Sequence, residues 1–206
     1  MPDTPQEKLR KEFDLYLTQL LNKASDKFEI TETDNSLANL NFLNNFYLFN
    51  SQQQPRVTNS WIVNQNNNSF QICCVEIDST LKVGRSSATQ THKFLYGLVN
   101  SRKDFGASLL TKETLVDKAA DLFLKIDIDF NTNKKFSSQY RCLSNDSNKF
   151  TNAMSDRLMN YLVTVNHVEL EFKNNTCLFR TEKSIIDENN NLELFPIGIE
   201  LSKILT

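Results

Sequence analysis

From residue 5 onward, apolar side chains recur at helical spacing. Leu9, Phe13, Tyr16, Leu17, Leu20 and Ala24 make one stripe, with Lys and Glu over much of the opposite face. Thr4-Pro5-Gln6-Glu7 is a capping box with Pro in the first helical position, so an amphipathic helix is predicted over residues 1–25. A membrane-surface helix would carry more Lys and Arg and a sharper apolar face, so packing on the body of the protein is expected. The period then changes to two. Phe28 and Ile30 alternate with Glu29 and Thr31, a brief strand that Glu32 and the turn-like Thr33-Asp34-Asn35 bring to an end. Residues 37–49 are dense in Leu, Phe and Tyr but have no clean period, which leaves helix and strand both open there. Trp61-Ile62-Val63 and residues 70–77 read as a hairpin around an Asn-rich turn. Residues 88–99 read as a third strand, in which Gly97 marks a bulge or lets a neighbour approach closely.

Farther along, Thr111-Lys112-Glu113-Thr114 followed by Leu115, Val116, Ala119, Ala120, Leu122 and Phe123 predicts a short helix. Ile126-Asp127-Ile128-Asp129-Phe130 alternates strictly and predicts a strand with one acidic face; residues 136–143 predict another. A helix is expected over 147–165, with Phe150, Met154, Leu158, Tyr161 and Leu162 on one side. Residues 168–172 and 176–180 form a second hairpin around Lys173-Asn174-Asn175, and a last helix near Pro196 buries Ile199, Leu201, Ile204 and Leu205. This order predicts an α+β fold: a mainly antiparallel sheet, an N-terminal amphipathic helix and a strand-helix-strand-strand C-terminal half. At 206 residues without internal repeats, one globular domain over 1–206 is expected, with the helix of 1–25 packed on it or appended to it.

Composition narrows the function classes. A hydrophobic fraction of 39% with 15 Phe excludes wholesale disorder. The net charge of −2 gives no general attraction to nucleic acid, and no apolar run reaches the length of a membrane span. The start of the chain lacks the build of a signal peptide, so a cytoplasmic protein without membrane insertion or nucleic-acid partner is expected. Asparagine is over-used: 25 Asn stand against 4 Gly, as though Asn takes the place of Gly in turns. Cys73, Cys74, Cys142 and Cys177 have no C-x-x-C spacing, and adjacent Cys73 and Cys74 in a strand point to opposite faces. Four reduced, buried thiols are expected.

The order of segments carries a resemblance. The hairpin after Asn59, the Thr89-Gln90-Thr91 run into an apolar strand and Phe105-Gly106-Ala107-Ser108-Leu109 come first. Ile126–Phe130, Phe136-Ser137-Ser138-Gln139-Tyr140, a helix and Val168-Glu169-Leu170-Glu171 follow. Over roughly residues 40–182 this resembles a family of uncharacterised bacterial proteins whose soluble α+β domain often follows membrane helices. The chain departs from that pattern in lacking a membrane segment and the Leu-Pro and Pro-Glu steps around Phe105. The resemblance implies a fold and brings no catalytic residues.

Two constellations could carry chemistry. Asp127 and Asp129 share one face of a predicted strand, and Glu169 and Glu171 share a face of another. Carboxylates so paired can hold Mg²⁺ or Mn²⁺ for phosphodiester hydrolysis, and Glu171-Phe172-Lys173 has the acid-x-Lys form in which Lys173 would assist the attacking water. Acid alternating with aliphatic is also the pattern of any solvated strand face, which is the reading preferred here. Lys82, Arg85, Lys93, Arg102 and Lys103 with Phe94 and Tyr96 could make a basic, aromatic surface for single strands, against the negative overall charge. The Gly84-Arg85-Ser86-Ser87 turn has no second Gly and no Lys-Ser/Thr before a helix, and G-x-S-x-G is absent. A non-enzymatic protein-interaction module without cofactor is therefore expected, with an unknown protein partner. It would bind through the exposed apolar residues 37–49 or an unpaired sheet edge. The alternative is a metal-dependent, nuclease-like hydrolase using Asp127, Asp129, Glu169, Glu171 and Lys173.

Overall fold

The computed structural model describes residues 5–33, 43, 45–50, 55–83, 86–111, 128–165, 168–181 and 192–206. Eight strands form one sheet in the order β1-β2-β3-β4-β8-β7-β5-β6. They are β1 (Glu29–Thr33), β2 (Arg56–Gln65), β3 (Asn68–Val83), β4 (Ser86–Asn100), β5 (Ala107–Thr111), β6 (Arg141–Ser144), β7 (Val168–Lys173) and β8 (Thr176–Thr181). Every pairing is antiparallel. The helices are α1 (Pro5–Ser25), α2 (Tyr47–Asn50), α3 (Lys134–Ser137), α4 (Ser147–Ala153), α5 (Asp156–Thr164) and α6 (Leu194–Leu205). The class is α+β.

Both predicted hairpins are present, and asparagine makes their turns. Asn66 and Asn67 take φ of 50° and 64°, and Asn174 takes 53°. These left-handed values are the ones a two-residue hairpin demands, and Asn meets them by bonding locally with its short amide. Asn68, the first residue of β3, closes the turn from outside it, its Nδ2 donating to the Asn66 carbonyl at 2.8 Å. β1 runs on through Glu32 to Thr33 because pairing with β2 continues to Ser60, where the two hydroxyls meet at 2.7 Å.

The first face of the sheet is buried along its length and the second is buried over the middle strands, with different materials on each; Ile62 of β2 leaves the second face exposed toward the β1 edge. On the first face, α1, α3, α4, α5 and α6 pack into one cluster with Trp61, Val63, Phe70, Ile72, Cys74, Leu110, Leu170, Phe172 and Phe179. Phe13, Leu17, Leu20 and Ala24 bury the predicted stripe of α1 there, and Lys93 Nζ sits 4.5 Å over the Phe13 ring and 3.2 Å from Asp14. α6 lies close to the sheet because Gly198 rests on the Phe70 ring, which in turn packs 5.8 Å from the Phe179 ring. Gly97 is the cross-strand partner of Phe179 and lets that ring lie flat on β4. A Cβ at Gly97 would stand 2.0 Å from Phe179 Cζ, so the close approach expected of this glycine is real. Gly97→Ala should therefore cost about 1–3 kcal/mol by overpacking. Urea midpoints test this, and Gly97→Ala combined with Phe179→Leu should recover part of the loss; an additive double variant would refute the ring clash.

Three expectations fail, each for a local reason. Ile128, Asp129 and Phe130 are not in a strand; Ile128 N–H donates to Cys142 C=O, and the chain then turns at Phe130, whose N–H is held by Ser137 Oγ. Ile126 and Asp127 lie outside the described residues. The strand expected over 136–143 is split into α3 and β6, because the Asn133 side chain caps the Phe136 N–H and Phe136 stacks on Tyr140 at 5.3 Å. The helix expected over 147–165 breaks at Met154 and Ser155, where Ser155 accepts from Leu158 N–H and starts α5 afresh. The last helix begins at Leu194, just before Pro196. The helix expected after Thr111 falls outside the described residues, while Thr111 itself ends β5.

Candidate functional site

The second face of the sheet carries the polar groups. Strict alternation along β7 puts Val168, Leu170 and Phe172 on the first face and Glu169, Glu171 and Lys173 on the second. In register, Glu169 lies opposite Arg180 and Glu171 opposite Leu178 on one side and Leu109 on the other. Both glutamates are buried, Glu169 at 2% exposure and Glu171 at 0%, so the solvated-face reading is wrong for this pair. Around β7 and its neighbours the second face is an internal layer.

Each carboxylate is committed to partners within the chain. Glu169 accepts Arg180 Nε on one oxygen and Thr111 Oγ1 at 3.0 Å on the other, and Arg180 Nη1 reaches the Tyr96 hydroxyl at 3.4 Å. Thr111, Glu169, Arg180 and Tyr96 thus form one network across β5, β7, β8 and β4. Glu171 turns to a different partner. Its two oxygens accept the backbone N–H groups of Tyr47 and, at 2.8 Å, of Leu48. Those are the first N–H groups of α2, which have no partner within the helix. The carboxylate thereby fastens Leu43 and residues 45–50, a short strap, onto the sheet.

Apolar packing completes the strap. Leu43, Phe46 and Leu48 are buried in a cluster with Cys73, Val75, Ile77, Tyr96, Leu109, Leu143 and Leu178, separate from the cluster of the first face. The described apolar side chains of the region expected to be exposed for binding are therefore internal. Residues 37–42 and 44 and the side chain of Phe49 lie outside the described residues.

Burial sets the protonation behaviour of this layer. Loss of water raises the Glu171 carboxyl from an ordinary 4.5 to about 7, against the pull of the Leu48 and Tyr47 N–H groups and the charges of Lys173 and Arg180. Burial also raises the Tyr96 and Tyr47 hydroxyls, Tyr47 with help from the Glu171 charge. The thiols follow the same rule: Cys73 is pushed up to about 12 and Cys74 to about 11, and Cys177 lies well above its usual range. All four cysteines are free and buried, with Cys73 and Cys74 in the two different clusters. They are thiols, unsuited to nucleophilic attack at neutral pH.

The acidic constellation does not come together among the described residues. Ile128 borders β6, and β5 and β6 come between it and β7, so Asp129 and Glu171 stand on segments that are not neighbours. Asp129 is exposed, Asp127 lies outside the described residues, and no group of three His, Cys, Asp or Glu among those described could hold a metal ion. The basic, aromatic surface divides likewise. Lys93 faces Glu76 and Asp14 on the first face, whereas Phe94 and Tyr96 belong to the second. Lys103 Nζ donates to the Ala153 carbonyl, Arg102 is exposed, and the side chains of Lys82 and Arg85 lie outside the described residues. No helix among those described is long and apolar enough to cross a membrane.

No family model, curated protein or solved structure matches this chain. What it does must be argued from the second face itself. Sequence reasoning picked out Glu169 and Glu171 but not their partners. The Glu169–Arg180 pair was visible in principle, since a hairpin turning at Asn174-Asn175 sets those two residues opposite each other. Nothing local signals that Glu171 holds Tyr47 and Leu48 from more than 120 residues away.

Proposed function

We propose that the chain is a non-enzymatic protein-interaction module that accepts an apolar peptide segment on the second face of its sheet. The observation that carries this reading is the seating of Leu43 and residues 45–50: one buried carboxylate takes two consecutive backbone N–H groups while the sheet takes the apolar side chains. A grip on backbone N–H groups is indifferent to side-chain identity, and apolar sockets beside it add selectivity, the division of labour used in peptide recognition. The commitment of Glu169 to Arg180 and of the thiols to the core also favours binding over chemistry.

A random-peptide library selected on the full chain tests it. Apolar-rich binders should emerge whose affinity falls about ten-fold or more in Glu171→Ala, the loss expected for hydrogen bonds to a charged acceptor. No enrichment would sink the reading. A rise in melting temperature with Mn²⁺ or Mg²⁺ that Glu171→Ala abolishes would replace it with the hydrolase.

A further inference from the structure

The strap differs from the rest of the fold in how it is held. The first face is closed by helices α1, α3, α4, α5 and α6 around a shared core. The strap contributes to the second cluster alone and pairs with no strand among the described residues. Glu171, by contrast, stands on β7, which is laddered on both sides by β5 and β8. A fixed acceptor in the sheet thus meets a short turn whose first two N–H groups have no partner inside the turn and bond to Glu171 instead, alongside its apolar anchors Leu43, Phe46 and Leu48. Any peptide entering a helical turn offers the same pair of N–H groups, and a carboxylate is favoured at that end of the turn.

We propose that Leu43 and residues 45–50 are a cis ligand of the second face, an autoinhibitory strap that a partner peptide of the same chemistry displaces: apolar side chains before and at two consecutive backbone N–H groups that the turn itself does not satisfy. This rests on the interaction reading above and names its occupant. The partner must be able to form a helical turn, and it cannot carry Pro at either of the two N–H positions, because Pro has no N–H to give.

Two measurements on the full chain test the strap. In hydrogen exchange on the wild type, the Tyr47 and Leu48 amides should exchange by local opening. Corrected for intrinsic rates, they should run on the order of 100-fold faster than Leu170 and Phe179 in the central strands. Exchange of all four at the rate of global unfolding makes the strap part of the cooperative core and overturns the proposal. The second measurement uses the acetylated, amidated peptide of residues 43–50 as probe. It should bind the Phe46→Asp chain, whose own strap is weakened, about ten-fold more tightly than the wild type. A peptide carrying Tyr47→Pro should not bind. Equal binding to wild type and Phe46→Asp, or equal binding of the Pro peptide, overturns the strap. Library binders that act alike on both proteins would then leave the interaction reading standing; their absence on both would remove it as well. Should Phe46→Asp fail to fold, the exchange rates of the wild type decide.

Discussion

Arg180→Met should destabilise the protein by about 3–5 kcal/mol, the cost of leaving a buried charge without its partner. Glu169 is 2% exposed, and Arg180 is the cation that meets it, with Thr111 Oγ1 as its other donor. Removing the guanidinium also takes a donor from Tyr96, a second polar group inside the same layer. Substituting both members tests the cause. Arg180→Met with Glu169→Met should be far less damaging than Arg180→Met alone, since a buried ion pair replaced by apolar groups of similar size is often neutral or better. For a chain of this length the single variant should melt roughly 6–20 °C lower. A double variant as unstable as the single would mean that shape, and not the stranded carboxylate, holds the network together.

That network shows what local pattern can and cannot reveal. The hairpins could be read because alternation and Asn-rich turns are local, and α1 because its stripe repeats over five turns. Side-chain alternation correctly put Glu169 and Glu171 on one face; it could not say whether that face is wet. An alternating strand looks the same whether its polar side meets water or a second layer supplied from far along the chain. The deciding residues, Leu43, Phe46 and Leu48, come from a stretch without any period, because a strap held end-on by one carboxylate needs neither a helical stripe nor a strand alternation.

The errors between residues 126 and 165 have a different origin. Asn133 and Ser155 are caps, and each marks its break with a single side chain: Asn133 in the polar stretch before Phe136, Ser155 within a stretch whose apolar spacing reads as one helix. Phe136 and Phe150 are both buried against Phe130, at 5.7 Å and 6.0 Å between ring centroids. Aromatic packing of that kind satisfies a turn and a short helix as well as a strand. Gly97 was legible as a place of close approach. That its neighbour is Phe179 follows only from the long-range pairing of β4 with β8.

The protein should grow less stable as pH rises from 5 to 8, and Glu171→Gln should remove most of that slope. The sign follows from linkage. Glu171 titrates at about 7 in the folded protein against 4.5 for an ordinary glutamate, so the folded state holds its proton more tightly than the unfolded chain does. Below about pH 4.5 both states are protonated and the stability of the neutral buried acid is fully present. Between there and pH 7 the unfolded chain loses the proton first, and about 3 kcal/mol is lost by pH 8. The strap N–H groups, Lys173 and Arg180 reduce this penalty but do not cancel it, because burial is the larger influence. Gln cannot ionise, yet it turns an amide NH₂ toward one of the two strap donors and forfeits about 1 kcal/mol or more at every pH. Wild type should therefore be the more stable protein at pH 5, and Glu171→Gln should equal or overtake it at pH 8. The two histidines are common to both proteins and cancel in the comparison. Urea midpoints at pH 5 and pH 8 are sufficient to test it. A wild type indifferent to pH, or a Gln variant that keeps the slope, would show that the strap leaves Glu171 in contact with water.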